Sequence, residues 1–151
     1  MNSSRTKNDK KTIDRLEWRC LGENLVILDT SFLLECVRSG RDFFSQLERE
    51  LGKVEYATPK SVVWELTSLA KKRSKKGKEA KLALNVMRRK EVRVIEVGKL
   101  EADKDILELA SRFGGLVVTL DWDLVTKLRR VKIPIAYIKD GKVELEGLDK
   151  S

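Results

Sequence analysis

Apolar positions along this chain follow two kinds of pattern. Short unbroken runs, such as Leu-Val-Ile-Leu at 25–28 and Leu-Val-Val at 116–118, predict strands that are buried on both faces. Elsewhere apolar residues recur every three or four positions, as in an amphipathic helix. The pattern predicts strands at 24–29, 54–57, 92–97, 116–120 and 133–138, and helices at 31–38, 41–51, 59–70, 79–90, 102–113 and 124–130. Because strands and helices alternate, we predict a three-layer α/β/α sandwich around a mainly parallel, five-stranded sheet.

Proline and glycine refine three of these boundaries. Thr58 and Pro59 stand in the order of a capping hydroxyl followed by proline at the first helical position. Pro134 has no backbone N–H and indicates that the strand at 133–138 lies at an edge of the sheet. A hairpin-like turn around Gly141 offers 143–145 as a further short strand.

The chain has 151 residues, about the size of one domain, which we place at 24–148. Residues 1–23 are polar and weakly patterned, so we expect a flexible or partly helical N-terminal extension. No apolar run approaches the roughly 20 residues that cross a membrane, and the N-terminus lacks the apolar core of a signal peptide. We therefore expect a cytoplasmic protein without a membrane partner.

Histidine is absent, and cysteine occurs only as Cys20 and Cys36. The lack of histidine excludes Ser-His-Asp catalysis, histidine acid–base catalysis and histidine-containing zinc sites. The two cysteines are not closely spaced and are expected to be free thiols. Any catalysis must therefore depend on carboxylates, lysines or metal ions.

Basic residues are concentrated between Lys71 and Lys90, where the only acid is Glu79. The whole chain has 32 Lys and Arg residues against 24 Asp and Glu residues, a formal charge of +8. Such a local excess indicates a phosphate-binding surface, which we expect to include a loop at 71–78. The alternative is an ordinary solvated surface of a helix and a loop.

Four acids stand where a site would form in such a sheet. Asp29 and Asp121 each follow a buried strand, Asp103 opens a helix, and Glu65 lies in the first two turns of another, next to positions that must face inward. Alternatively, the two strand-end acids cap the helices that follow, and Glu65 is exposed near a helix N-terminus. Clustered carboxylates repel each other unless they are protonated or bridged by cations. Together they indicate a Mg²⁺ or Mn²⁺ site and, beside a basic surface, phosphodiester hydrolysis.

The ordered motifs resemble those of PIN-domain ribonucleases. They are Leu-Asp-Thr-Ser at 28–31, Pro-Lys-Ser-Val-Val-Trp-Glu-Leu at 59–66, Ala-Asp at 102–103 and Val-Thr-Leu-Asp-Trp-Asp-Leu at 118–124. The resemblance covers about 24–146, and the runs at 77–84 and 133–138 are most similar to archaeal members related to the nuclease of the small-subunit processome. The family implies a Mg²⁺- or Mn²⁺-dependent endoribonuclease, in rRNA processing and ribosome biogenesis, and frequent homodimers.

Carried over by position, the resemblance makes Asp29, Glu65, Asp103 and Asp121 the catalytic, metal-binding quartet, with Asp123 as a further ligand. Ser31, which stands where the family most often has Asn, is expected to support these ligands together with Thr119 and Asp105. RNA phosphates are expected to contact the basic segment. The residues are Lys71, Lys72, Arg73, Lys75, Lys76, Lys78 and Lys81, with Arg88, Arg89, Lys127, Arg129 and Arg130 as additions.

Several interpretations compete with this one. A response-regulator receiver has a similar scaffold, but its phosphorylated Asp should end the third strand, which here ends at Val97-Gly98. A toxin of a toxin–antitoxin pair would share both fold and chemistry, and a non-catalytic RNA-binding factor for ribosome assembly would share only the fold. Trp122, between two acids, offers a base-stacking contact or is simply a packed aromatic.

Overall fold

The computed structural model describes residues 24–98 and 101–148. The strands are β1 (Leu25–Leu28), β2 (Glu55–Pro59), β3 (Arg93–Ile95), β4 (Leu116–Val118), β5 (Ile135–Lys139) and β6 (Lys142–Glu146). The helices are α1 (Thr30–Ser39), α2 (Phe43–Leu51), α3 (Lys60–Ala70), α4 (Lys75–Arg89), α5 (Ala102–Phe113) and α6 (Trp122–Arg130). The predicted alternation of strands and helices is confirmed.

The strands form one sheet in the order β3-β2-β1-β4-β5-β6. The first five pair in parallel, and β6 pairs antiparallel with β5. The connections from β1 to β3 move in one direction along the sheet and those from β3 to β5 in the other. Because βαβ crossovers are right-handed, α1–α4 and α5–α6 cover opposite faces, which gives the expected three-layer sandwich.

The described sheet has six strands, so the predicted number of five was wrong. The hairpin at Gly141 does continue into a strand, and β6 covers the side of β5 that was expected to be an edge. Pro134 lies just before β5, where its missing N–H removes no sheet hydrogen bond, and its carbonyl accepts from the Val117 N–H at 3.0 Å.

The centre of the core is β1, in which all four side chains are buried and Ile27 and Leu28 have no exposed surface. Burying one such side chain contributes about 1.5–3 kcal/mol, which fixes the register of this strand between β2 and β4. Leu66 of α3 packs into the core from one face and Leu109 of α5 from the other, both without exposed surface. The end of β1 is therefore held firmly in the middle of the sheet.

Among the boundaries that differ from the prediction, two concern the start of a helix. Thr58 and Pro59 belong to β2, and Pro59 is the N-cap of α3 and not its first helical residue. The Thr58 hydroxyl does not cap the helix but donates to the Leu28 carbonyl at 2.7 Å. The basic loop is shorter than predicted, because α4 already begins at Lys75 after Ser74, whose hydroxyl accepts from the Gly77 N–H at 3.1 Å. Lysine is a good helix former, so a run of charges does not by itself mark a loop.

Cys36 is a buried free thiol, as predicted, and burial raises its pKa to about 12. Cys20 and the predicted extension at 1–23 lie outside the described residues. In the part of the chain that the structure describes, no helix is both long and apolar enough to span a membrane.

Candidate active site

Asp29 lies at the carboxyl end of β1, in the middle of the sheet, and only 4% of its surface is exposed. Its backbone N–H continues the pairing with β4 by donating to the Val118 carbonyl at 3.1 Å. Its side chain makes no capping hydrogen bond to α1. Instead the carboxylate oxygen Oδ2 accepts from the Ser31 hydroxyl at 2.9 Å and from the Thr119 hydroxyl at 2.6 Å. The helix-cap alternative for Asp29 is therefore wrong.

The two hydroxyls around Asp29 also connect β1 to the segment after β4. The Ser31 oxygen accepts from the Leu120 N–H at 2.9 Å, and the Thr119 oxygen accepts from the Asp121 N–H at 3.0 Å. Because each hydroxyl accepts from a backbone N–H, its own hydrogen is available to the carboxylate. Asp29 is thereby fixed in one orientation by two neighbouring strand ends.

Asp121 lies at the carboxyl end of β4 and does cap a helix. Its Oδ1 accepts from the N–H groups of Asp123 at 3.0 Å and Leu124 at 3.4 Å, at the start of α6. Asp121 is half-buried and Asp123 is exposed. A carboxylate that uses one oxygen for a cap can still contribute charge to a site, so capping does not exclude a second role.

Asp103 lies in the first turn of α5, where the charges of the other acids change its pKa. Burial raises its pKa above the ordinary value, and repulsion from Asp121, Glu65 and Asp123 raises it further, while Lys127 lowers it. The pKa of Asp29 is also raised, chiefly by burial and slightly by Asp103, against the lowering effect of its hydroxyl partners. The fold thus brings the predicted acids into one electrostatically coupled group.

Glu65 lies in α3 next to the buried Leu66 and is itself exposed, as in the alternative interpretation of an exposed acid near a helix N-terminus. Its Oε1 accepts from the hydroxyl of Thr30, the first residue of α1, at 2.5 Å. Thr30 was not among the predicted site residues. Its position directly after Asp29, in a run of two hydroxyl residues, is the signal that could have identified it.

Asp105 differs from the other acids because it is fully buried, in the first turn of α5. Its carboxylate lies against Gly98, where a Cβ atom would overlap Asp105 Oδ1. Gly98 also has a φ of +68°, which favours glycine. Asp105 therefore packs against the segment that follows β3.

The acidic group offers only oxygen ligands. In residues 24–98 and 101–148 no three acids or thiols are grouped closely enough to bind one metal ion between them. Mg²⁺, however, usually keeps several water ligands and binds proteins through one or two carboxylates. Repulsion from neighbouring carboxylates, which helps to raise the pKa of Asp103, is offset by a nearby cation. The residues present therefore fit a hard divalent ion.

The seven predicted RNA-binding side chains from Lys71 to Lys81 are all exposed, in the turn after α3 and in α4. None of these seven forms an ion pair with a described acid, whereas Arg129 of α6, one of the predicted additions, pairs with Glu146 at 2.7 Å. Glu79, the one acid of the segment, pairs with Arg38 of α1 at 3.3 Å. Lys75, Lys76 and Lys78 begin α4, where positive charge opposes the helix dipole, so helix stability does not explain them.

A family model described as a PIN like domain matches residues 26–141. The chain belongs to the PIN-like domain family. Membership of this family confirms the resemblance noted in the sequence and leaves the receiver interpretation without support. β3 ends at Ile95 and is followed by Glu96, which forms an ion pair with Lys60, and not by the aspartate that a receiver requires.

The relatives of this PIN-like chain match three quarters or more of its length. Ribonuclease VapC9 of Archaeoglobus fulgidus is 33% identical over 127 residues, which are 82% of this chain and 90% of that protein. The PIN domain endonuclease Utp24 has a similar structure, with a TM-score of 0.70 and 26% identity over 82% of this chain and 92% of that one. VapBC2 of Rickettsia felis, solved with a promoter DNA fragment, shares the fold at a TM-score of 0.55 and 15% identity, covering 75% and 98% of the two chains.

Proposed function

We propose that this protein is a divalent-metal-dependent endoribonuclease that hydrolyses RNA phosphodiester bonds. The observation that carries the proposal is the buried Asp29 carboxylate, fixed by two hydroxyls in the coupled group of acids. A buried charge is costly unless it is paired or bound to a cation. The names of two relatives, a ribonuclease and an endonuclease, support the same chemistry.

Asp29, Asp103 and Asp121 would hold Mg²⁺ or Mn²⁺, one or two of them directly and the others through water ligands of the ion, with Glu65 and Asp123 completing the site in the same way. When bound, the ion lowers the pKa of a water nucleophile and offsets the charge of the leaving oxygen. Ser31 and Thr119 keep Asp29 in one orientation, and Thr30 does the same for Glu65. Such supporting hydrogen bonds align ligands that would otherwise rotate.

The exposed lysines of α4 would hold the RNA backbone. They bear charge that no described acid neutralises, and their contacts with phosphate do not depend on sequence. Converting Lys75, Lys76 and Lys78 to Gln should weaken RNA binding and reduce the slope of log K against log salt by about 0.7 per lost contact. The same change made at Lys53, Lys139 and Lys142, exposed lysines outside the segment, is the matched control.

The central test is cleavage of a structured and a single-stranded RNA with Mn²⁺, Mg²⁺ or chelator. The wild-type protein should cut only with a divalent ion, Asp29→Asn should not cut, and Asp140→Asn, at the exposed turn before β6, should cut like wild type. If wild type and Asp29→Asn bind RNA in a salt-sensitive way but neither cuts with any metal, the protein is a non-catalytic RNA-binding factor.

Within the nuclease class we propose processing of rRNA precursors, supported by the resemblance of the runs at 77–84 and 133–138 to archaeal members related to the nuclease of the small-subunit processome. Similarity to a VapC protein and to VapBC2 favours, as the second candidate, a toxin that pairs with an antitoxin. Expression of wild type and Asp29→Asn in a host cell separates the two. Growth arrest with cleavage of mature RNA by wild type alone supports the toxin, whereas cutting of a precursor at a fixed position without arrest supports processing.

A further inference from the structure

Two large aromatic side chains are exposed at the acidic end of the sheet. Trp64 is 55% exposed and precedes Glu65, and Trp122 is 56% exposed and follows Asp121. They are the only aromatic residues among the exposed large hydrophobic side chains of the described chain. Tryptophan is largely buried in most proteins, so two exposed copies beside the acids require an explanation.

The surroundings of the two rings differ. The Trp122 ring packs beside Tyr137, with centroids 5.5 Å apart, and the Arg129 guanidinium lies 5.7 Å from it. Trp64 contacts neither an aromatic ring nor a cation in the part of the chain that is described. Packing within the protein therefore accounts for Trp122 but not for Trp64.

Trp64 borders a cavity of about 330 Å³ whose other lining residues are Lys60, Glu96, Val97 and Gly98. Lys60 follows the carboxyl end of β2, and the segment from Glu96 to Gly98 follows that of β3. Neighbouring strands lie about 4.8 Å apart, so the cavity opens roughly 5–10 Å along the same sheet edge from the end of β1. The place that a Cβ atom would take at Gly98 is occupied by the Asp105 carboxylate, so Gly98 contributes only backbone atoms to the cavity wall.

The geometry points to an RNA subsite in which an unpaired base next to the cleaved phosphodiester stacks on Trp64, an inference that rests on the proposed function. Aromatic side chains bind bases of any sequence through their faces. The ion pair between Lys60 and Glu96, 2.8 Å apart, forms the polar wall of the cavity. A base in a duplex is already stacked and paired, so this subsite selects single-stranded RNA.

The first test is binding of a short single-stranded RNA in chelator, where no cutting occurs. Trp64→Ala should weaken binding about tenfold, Trp64→Phe should restore most of it, and Leu82→Ala, which shortens a side chain 52% exposed on α4, should bind like wild type. All three variants should unfold near the wild-type temperature because the altered side chains are exposed. Equal binding by wild type and Trp64→Ala overturns the inference.

The second test replaces each nucleotide around the cleavage position, in turn, by an abasic one. Wild-type cutting should be slowed at one position next to the cleaved bond, and Trp64→Ala should be insensitive there, because the base and the ring act as a pair. If Trp64→Ala keeps the wild-type sensitivity, the subsite is absent although the protein is still a nuclease. If wild type neither binds nor cuts any RNA, the proposed function fails as well.

Discussion

β1 and β4 are both buried apolar strands with an aspartate after them, but the surroundings of the two aspartates differ. Asp29 makes no capping hydrogen bond to its helix, is nearly fully buried and accepts hydrogen bonds from two hydroxyls. Asp121 is half-buried and accepts hydrogen bonds from two backbone N–H groups of its own helix. The same residue type after two neighbouring strands therefore has two different environments.

The difference originates in the residues around each acid. Two positions after Asp29 comes a hydroxyl, Ser31, that can donate to it, whereas two positions after Asp121 comes Asp123, which offers only its backbone N–H. The second hydroxyl at Asp29 comes from Thr119, which precedes Asp121. The segment after β4 therefore has two roles: Thr119 donates a hydrogen bond to Asp29, and Asp121 caps α6.

The largest effect is expected for Asp29→Asn. This change removes the buried charge of the proposed site and should lower metal-dependent RNA cutting about 1,000-fold. Thermal unfolding should separate this effect from misfolding, because Mn²⁺ should raise the unfolding temperature of wild type but not of the variant. Equal stabilisation of both proteins by Mn²⁺ would show that Asp29 does not hold the ion.

Thr119→Val tests whether the hydroxyl supplied by the end of β4 matters to Asp29. The valine cannot donate to Asp29 or accept from the Asp121 N–H, and activity should fall about 10- to 100-fold. Losing this hydrogen bond also raises the pKa of Asp29 further, so the acidic limb of the pH–rate profile should move to higher pH. Thr119→Ser keeps the hydroxyl and should retain both activity and profile; a serine variant as impaired as the valine one would contradict this role.

Two variants of Asp121 separate its cap from its charge. Asparagine caps helices as well as aspartate does, so Asp121→Asn should leave the free energy of unfolding nearly unchanged, whereas Asp121→Ala should lower it by about 1 kcal/mol. Both remove the charge and should reduce cutting equally. Urea unfolding and cleavage rates measure the two effects, and a more active Asn variant would mean that the cap alone matters.

The smallest expected effect is on the pH dependence of stability without metal. Because the pKa of Asp29 is raised in the folded protein above 3.8, the folded state binds more protons than the unfolded state above that pH. Its contribution to stability is present at low pH and is lost as the pH rises through the folded pKa. At neutral pH Asp29→Asn should therefore be more stable than wild type, and the difference should vanish in acid. If the difference in stability between Asp29→Asn and wild type instead grew toward low pH, the pKa of Asp29 would be lowered by folding and not raised.

The fold could be predicted largely from local patterns, because buried strands and amphipathic helices can be recognised from the spacing of apolar residues within a short segment. β6 was harder to predict, since its residues alternate only between exposed and half-buried positions. Pro134 also suggested that β5 was an edge strand. The start of α4 was missed because its first turns carry charge in place of an apolar stripe.

The acids of the candidate site could be predicted from their positions at strand and helix ends, but their partners could not. The bond from Thr119 to Asp29 depends on the register of β1 against β4, in which Leu28 pairs with Val118. That register is a tertiary property with no local signal. Trp64 likewise looks like an ordinary helical residue until the fold places it beside a cavity.

The pairing of β1 with β4 also has a consequence for the order in which the ribosome makes the protein. Asp29 emerges early, but its partner Thr119 follows 90 residues later. Chains are synthesised from the N-terminus at about 5–20 residues per second, so for several seconds the nascent chain has the first acid without the strand that completes its surroundings. In an unfinished or truncated chain the acids are therefore not brought together, and the proposed cutting activity arises only after β4 has paired with β1.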